Sequence, residues 1–282
     1  MGEAVAGLRK GRGLASRAAL LVVLAGALAG CGSASTGPGA AAAILADWRS
    51  FPAAANPRPL VPTGPTVLDP QNGFPDGQSK LAYVDGRFDL GVALPAGPAT
   101  SNGYPLISAR TAFDRLSSAA DPAKTSTTYR LRVISASLGS ARFDTDRGPR
   151  LLPAWRFGLA KVTGPVWVLA IDPKTLWTAK ATAATDLGFR ATPAADGRSL
   201  TLDFIGGPDE PTACGIAYTA SAVESATAVV VVLHDEPRAR ADGEVVCDGA
   251  GHRRTVPLQL ADALGGRVLL TPYGVPMPVP GP

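Results

Sequence analysis

From residue 129 onward, apolar and polar side chains alternate in short runs, the period of a strand with one buried face. Tyr129, Leu131 and Val133 set one phase. Ile134, Ala136 and Leu138 set the next, so the spacing predicts a strand interrupted by a β-bulge. Trp155, Phe157 and Leu159 alternate with Ala154, Arg156 and Gly158. After Gly164-Pro165 the run from Val166 to Ile171 is apolar throughout, which predicts a half-buried strand followed by one covered on both faces. Leu200, Leu202 and Phe204 mark another alternating strand. The run from Ala228 to Leu233 is too short and too β-branched for a helix and predicts a second central strand. Val256, Leu258 and Leu260, then Val268 to Leu270, then Val275 to Val279, continue the pattern between glycines and prolines.

Only one window has helical spacing, at about residues 107–118. Ser108 is its cap, Ala109, Ala112, Phe113 and Leu116 form one face, and Asp121-Pro122 ends it. Many short strands and one short helix predict a mainly β protein with β-sandwich-like antiparallel sheets. Residues 44–80 place Trp48, Phe51, Leu60 and Val61 among seven prolines, so they are expected to form an extended arm that packs along the domain. Residues 81–282 form the β-rich part, as one body or as two lobes, 81–190 and 198–282, divided near the loop from Ala191 to Arg198.

The N-terminus follows different rules. Arg9, Lys10, Arg12 and Arg17 oppose a single acid, Glu3, and the next eleven residues, Ala18 to Leu28, carry no polar side chain. A positive segment followed by a short apolar one is the pattern of an export signal, and the apolar run falls short of the roughly 20 residues of a membrane span. Leu28-Ala29-Gly30-Cys31 then resembles the lipobox of bacterial lipoproteins. The resemblance implies cleavage before Cys31, a diacylglyceryl thioether on its thiol, and acyl chains such as palmitate that hold the mature protein on the extracytoplasmic face of the cell membrane. Residues 31–43, rich in Gly, Ser and Ala, are expected to be a flexible tether.

Removing residues 1–30 leaves 23 of the 27 basic residues and 22 of the 23 acidic ones, so the basic character of the whole chain belongs largely to the signal. A near-neutral mature chain without a Lys/Arg-rich run disfavours nucleic acid as a partner. With Cys31 committed to lipid, Cys214 and Cys247 remain as an even pair in an oxidising compartment, where a disulfide is the simplest expectation.

The segment from Phe143 to Phe157, FDTDRGPRLLPAWRF, resembles uncharacterised secreted lipoproteins of actinobacteria. So do Cys214, Val223-Glu224-Ser225, Cys247 and Leu264-Gly265-Gly266-Arg267. The resemblance implies secretion and a β-rich build and assigns no chemistry.

Candidate chemistry is sparse. No GxSxG, HExxH, P-loop or GxGxxG motif occurs, and no cofactor or metal is implied. His234 beside Asp235 and Glu236 at a strand end is the arrangement a histidine-based hydrolase or transferase of envelope polymers would use; a solvated loop-edge histidine is the alternative. Asp144 and Asp146 could ligate calcium but lack the further oxygen ligands, so a hydrogen-bonded Asp–Arg turn is the better expectation. Trp155 and Trp167 fall in apolar strands and read as core. Trp177, in the more polar TLWTAK, stays a candidate for stacking on sugar. The expected function is thus a lipid-anchored envelope protein that binds an unidentified envelope partner or ligand or serves structurally, with the hydrolase or transferase as the alternative.

Overall fold

The structure is a computed structural model that describes residues 38–118, 127–178, 188–209, 211, 214–237, 247 and 249–280. Ser35–Pro282 form one compact unit; Met1–Ala34, with the expected export signal and Cys31, lie outside the described residues. The described residues are mainly β. Thirteen strands are β1 (Val67–Leu68), β2 (Phe88–Leu90), β3 (Thr100–Ser101), β4 (Tyr104–Pro105), β5 (Leu131–Thr145), β6 (Gly148–Leu159) and β7 (Val166–Leu169), then β8 (Arg190–Pro193), β9 (Ser199–Gly206), β10 (Ile216–Glu224), β11 (Ala228–Pro237), β12 (His252–Gln259) and β13 (Val268–Leu270). Three helices accompany them: α1 (Pro38–Asp47), α2 (Gly77–Val84) and α3 (Ala109–Ser118).

A five-stranded sheet has the order β1-β7-β6-β5-β2. Its centre is the β5–β6 hairpin, and the register shifts between Val133 and Ser135, where the alternation changes phase. The bulged residue, Ile134, is left 54 % exposed. The bulge returns Ala136 and Leu138 to the face of Leu131 and Val133, where they pack with Trp155, Phe157, Val166 and Val168. Ala112, Phe113 and Leu116 of α3 cover that face. Ser108 caps α3, accepting a bond of 3.1 Å from the Thr111 N–H. The opposite face buries Ala141, Phe143, Leu152, Ala154, Leu169 and Ile171 beneath Leu60 of the arm. The apolar run at Val166–Leu169 is therefore a strand covered from both sides, as its composition requires.

Two three-stranded sheets, β10-β11-β13 and β12-β9-β8, pack face to face around Leu202, Phe204, Val229, Val231, Leu258 and Leu269. The other face of β11 presents Ala228, Val230 and Val232 to Ala41 of α1 and to Trp48, Phe51 and Val61 of the arm. Each valine of β11 thus has an apolar partner layer, and alternate residues serve different layers.

Several expectations are corrected. Residues 38–43 are not a flexible tether: they begin α1, and Ala41 is fully buried. The arm is extended only between α1 and α2; α2 is capped by Asp76, whose carboxylate accepts from the Ser79 N–H. Two strand pairs, β2–β5 and β11–β13, are parallel. The stretch Ala191–Arg198 is strand β8 and a tight turn into β9 rather than a linker. Val275–Val279 forms no strand, only a bridge between Leu270 and Pro276.

Candidate functional site

The most densely bonded polar cluster is built on the β5–β6 hairpin turn. Thr145 pairs with Gly148, so Asp146 and Arg147 form the loop, and Gly148 follows at φ 78°, a conformation that favours glycine. Asp146 is buried, with its side chain 1 % exposed. Its carboxylate is held by both terminal nitrogens of Arg58 from the arm and lies 3.7 Å from Arg147 Nε. Arg58 Nε donates to the Gly266 carbonyl at 2.6 Å, and its guanidinium lies 4.6 Å from the centre of the Phe51 ring. Arg147 donates to the carbonyls of Gly265 and Arg267 at 2.7 and 3.0 Å. Burial, with Arg58 adding repulsion, draws the Arg147 guanidinium below its ordinary pKa, and Asp146 opposes that pull.

Arg267 extends the cluster to the end of β10. It pairs with the Glu224 carboxylate at 2.6 Å and donates to the carbonyls of Asp262 and Ala263. Glu224 also accepts from the Ala261 N–H at 2.7 Å. Three arginines and two acids tie the arm, the hairpin turn, β10 and the entry to β13 together. Gly266 is required there, since a Cβ would fall 2.0 Å from the Ala53 carbonyl oxygen. This is an assembly clamp. Its guanidinia and carboxylates satisfy one another and offer no open position to a substrate.

The other candidates are placed as follows. Asp144 is exposed on the opposite side of the strand from Phe143 and does not converge with Asp146; the Asp–Arg turn exists, but its principal arginine comes from the arm. Among the described residues no group of three metal-ligating side chains occurs. His234 lies within β11, not at a loop edge, exposed, with Nε2 2.8 Å from Ser221 Oγ on β10. Its neighbour Asp235 projects from the other face of the strand, as period 2 demands, so the two do not form a dyad. His252 is exposed at the start of β12. Neither histidine lines the surface grooves described for the chain. Trp177 is partly buried against Trp48 and Phe51, with ring centres at 6.4 and 5.3 Å, so its indole completes the apolar cluster under the arm. Cys214 and Cys247 stand at disulfide distance, with Cα atoms 5.9 Å apart.

Sequence reasoning missed Arg58 and the link from Glu224 to Arg267. Asp146 and Arg58 are 88 residues apart, beyond any local pattern. A weak signal was present: the segments 143–157, 223–225 and 264–267, singled out on sequence, contain Asp146, Arg147, Glu224, Gly265, Gly266 and Arg267, and folding brings all six together.

Compared with family models, with curated proteins and with solved structures, the chain matches none.

Proposed function

We propose that the chain is an exported lipoprotein, anchored through Cys31 to the extracytoplasmic face of the cell membrane, whose β-rich part is a non-enzymatic binding or structural module. The signal pattern and lipobox at Leu28–Cys31 carry the location. No described helix is long and apolar enough to cross a membrane. The observation that supports a module over an enzyme is how the chemistry-bearing side chains are used. Asp146 is spent on the clamp, Trp177 on packing, and Asp235 points away from His234.

Ser221 beside His234 favours a second reading, a hydrolase of envelope polymers, because a hydroxyl within hydrogen-bond reach of an imidazole is a nucleophile–base pair. Two experiments separate these readings. Cys31→Ala should abolish metabolic acyl labelling and leave unprocessed precursor; membrane retention of a cleaved, unlabelled protein would refute the anchor. Treatment with a fluorophosphonate probe should leave Ser221 unmodified. Labelling that disappears in Ser221→Ala and in His234→Ala would establish the hydrolase instead.

A further inference from the structure

Two surface grooves adjoin at the C-terminal sandwich. The first, of about 380 Å³, crosses the outer face of the β12-β9-β8 sheet and is lined by Arg190, Asp203, Ile205, Arg253 and Thr255. The second, of about 140 Å³, enters the cleft between the β5–β6 hairpin and the C-terminal segment, with Thr63, Asp144, Phe189, Pro276 and Pro278 in its walls. Gly188 and Arg190 line both, so the two adjoin.

Register arranges the first groove. Arg190, Asp203 and Thr255 form one cross-strand row on the outer face, and Ile205 and Arg253 form the next. Thr255 donates to Asp203 at 2.8 Å, which leaves the carboxylate further acceptor positions. The side chains of Arg190 and Arg253 have no ion pair or hydrogen bond among the described residues. Thr63 is among the residues that line the cleft, and its buried Oγ1 has no hydrogen-bond partner.

Two guanidinia, Arg190 and Arg253, balance two carboxylates, Asp144 and Asp203, so net charge is not what this groove selects. Fork-shaped donors, carboxylate acceptors and hydroxyls are interleaved with the exposed Ile205 and the half-buried Pro276 and Pro278. Such a surface suits sugar rings, whose hydroxyls both donate and accept while their C–H faces lie on apolar side chains. Arg253 and Arg190 lie two strands apart and two residues out of register, so at 4.7–4.9 Å per strand and about 3.3 Å per residue their backbones are about 12 Å apart, and the neighbouring cleft extends the path further. That length fits a chain of sugars rather than one ring.

We propose that the two adjoining grooves bind a neutral oligosaccharide chain. The proposal rests on the binding-module reading and specifies its ligand. The test uses the full chain in detergent micelles, titrated calorimetrically with linear tetrasaccharides of N-acetylglucosamine, glucose and mannose, and with inorganic polyphosphate. At least one saccharide should bind, with affinity reduced about tenfold in Arg190→Ala and in Arg253→Ala, a loss typical of one good hydrogen-bonding side chain. His234→Ala should bind as the parent does. Both arginines are exposed, so their variants should keep the parent's thermal midpoint. Absence of saccharide binding at millimolar concentration, binding unmoved by both arginine variants, or a preference for polyphosphate would each overturn the proposal. None of these outcomes touches the Cys31 anchor, which acyl labelling decides separately.

Discussion

Replacing Asp146 by alanine should release the N-terminal arm and cost more stability than its place in a hairpin turn suggests. The carboxylate is 1 % exposed and lies between two arginines whose side chains are only 15 % and 20 % exposed. Deleting it leaves two partly buried guanidinia without a counter-charge, a change that costs about 3–5 kcal/mol when one partner of a buried pair is removed. The Arg147 guanidinium is already drawn below its ordinary pKa by burial and by Arg58, and loses the one group opposing that pull. For a unit of this size the loss corresponds to a fall in thermal midpoint of about 6–20 °C. Arg58→Met should cost less, because Asp146 keeps Arg147 and the methionine can still lie against Phe51. The assay is urea unfolding followed by tryptophan fluorescence, since Trp48 and Trp177 report on the arm's apolar cluster, combined with amide exchange of residues 48–62. A change below about 0.5 kcal/mol in Asp146→Ala, the range of ordinary surface substitutions, would refute the argument. So would a large loss with arm protection unchanged.

Other consequences can be checked in the same way. Gly266→Ala should cost about 1–3 kcal/mol or more in a urea titration, because the added methyl meets the Ala53 backbone and can be accommodated only by displacing the arm. Replacing Cys214 and Cys247 together by serine should remove about 3–4 kcal/mol by the chain-entropy estimate for their loop, and non-reducing peptide mapping should find the two in one linked pair. For Glu224, burial favours the neutral acid but is outweighed by the Ala261 N–H and by Arg267, so its pKa lies below the ordinary 4.5. A carboxylate depressed in this way contributes stability that is complete above its unfolded value and lost as pH falls through its folded one. Urea midpoints measured from pH 7 down to pH 3 should therefore fall less steeply in Glu224→Gln than in the parent.

Local periodicity carried much of this architecture. The phase slip at Ile134 located the bulge, because a strand that keeps one face on a core must absorb an extra residue where its apolar positions change parity. The valine run from Ala228 located a strand buried on both faces, since no polar side chain remained to meet water. Strand β10 was illegible: in IAYTASAVE small and hydroxyl side chains blur the alternation, and its residues are mostly half-buried. Helix α1 was hidden by composition, because its alanine-rich sequence fits a spacer as well as a helix. What decides is Ala41, Ile44 and Leu45 finding the valines of β11.

The chemistry followed the same division. Composition and the N-terminal pattern bear on the proposed export, the proposed anchor at Cys31 and the pairing of the other two cysteines, because those depend on short contiguous motifs and on parity. Which acid meets which arginine was settled by tertiary structure alone. Asp146 and Arg58, Glu224 and Arg267, and the linings of the two adjoining grooves at Arg253 and Asp144 come from segments far apart in the chain. A side chain's neighbours along a strand are set by a period of two residues, but its neighbours across a core are set by which sheets pack together. The pattern of His234 and Asp235 shows the cost of ignoring that rule: adjacent in sequence, they lie on opposite faces of β11, and the partner His234 does find, Ser221, stands on another strand.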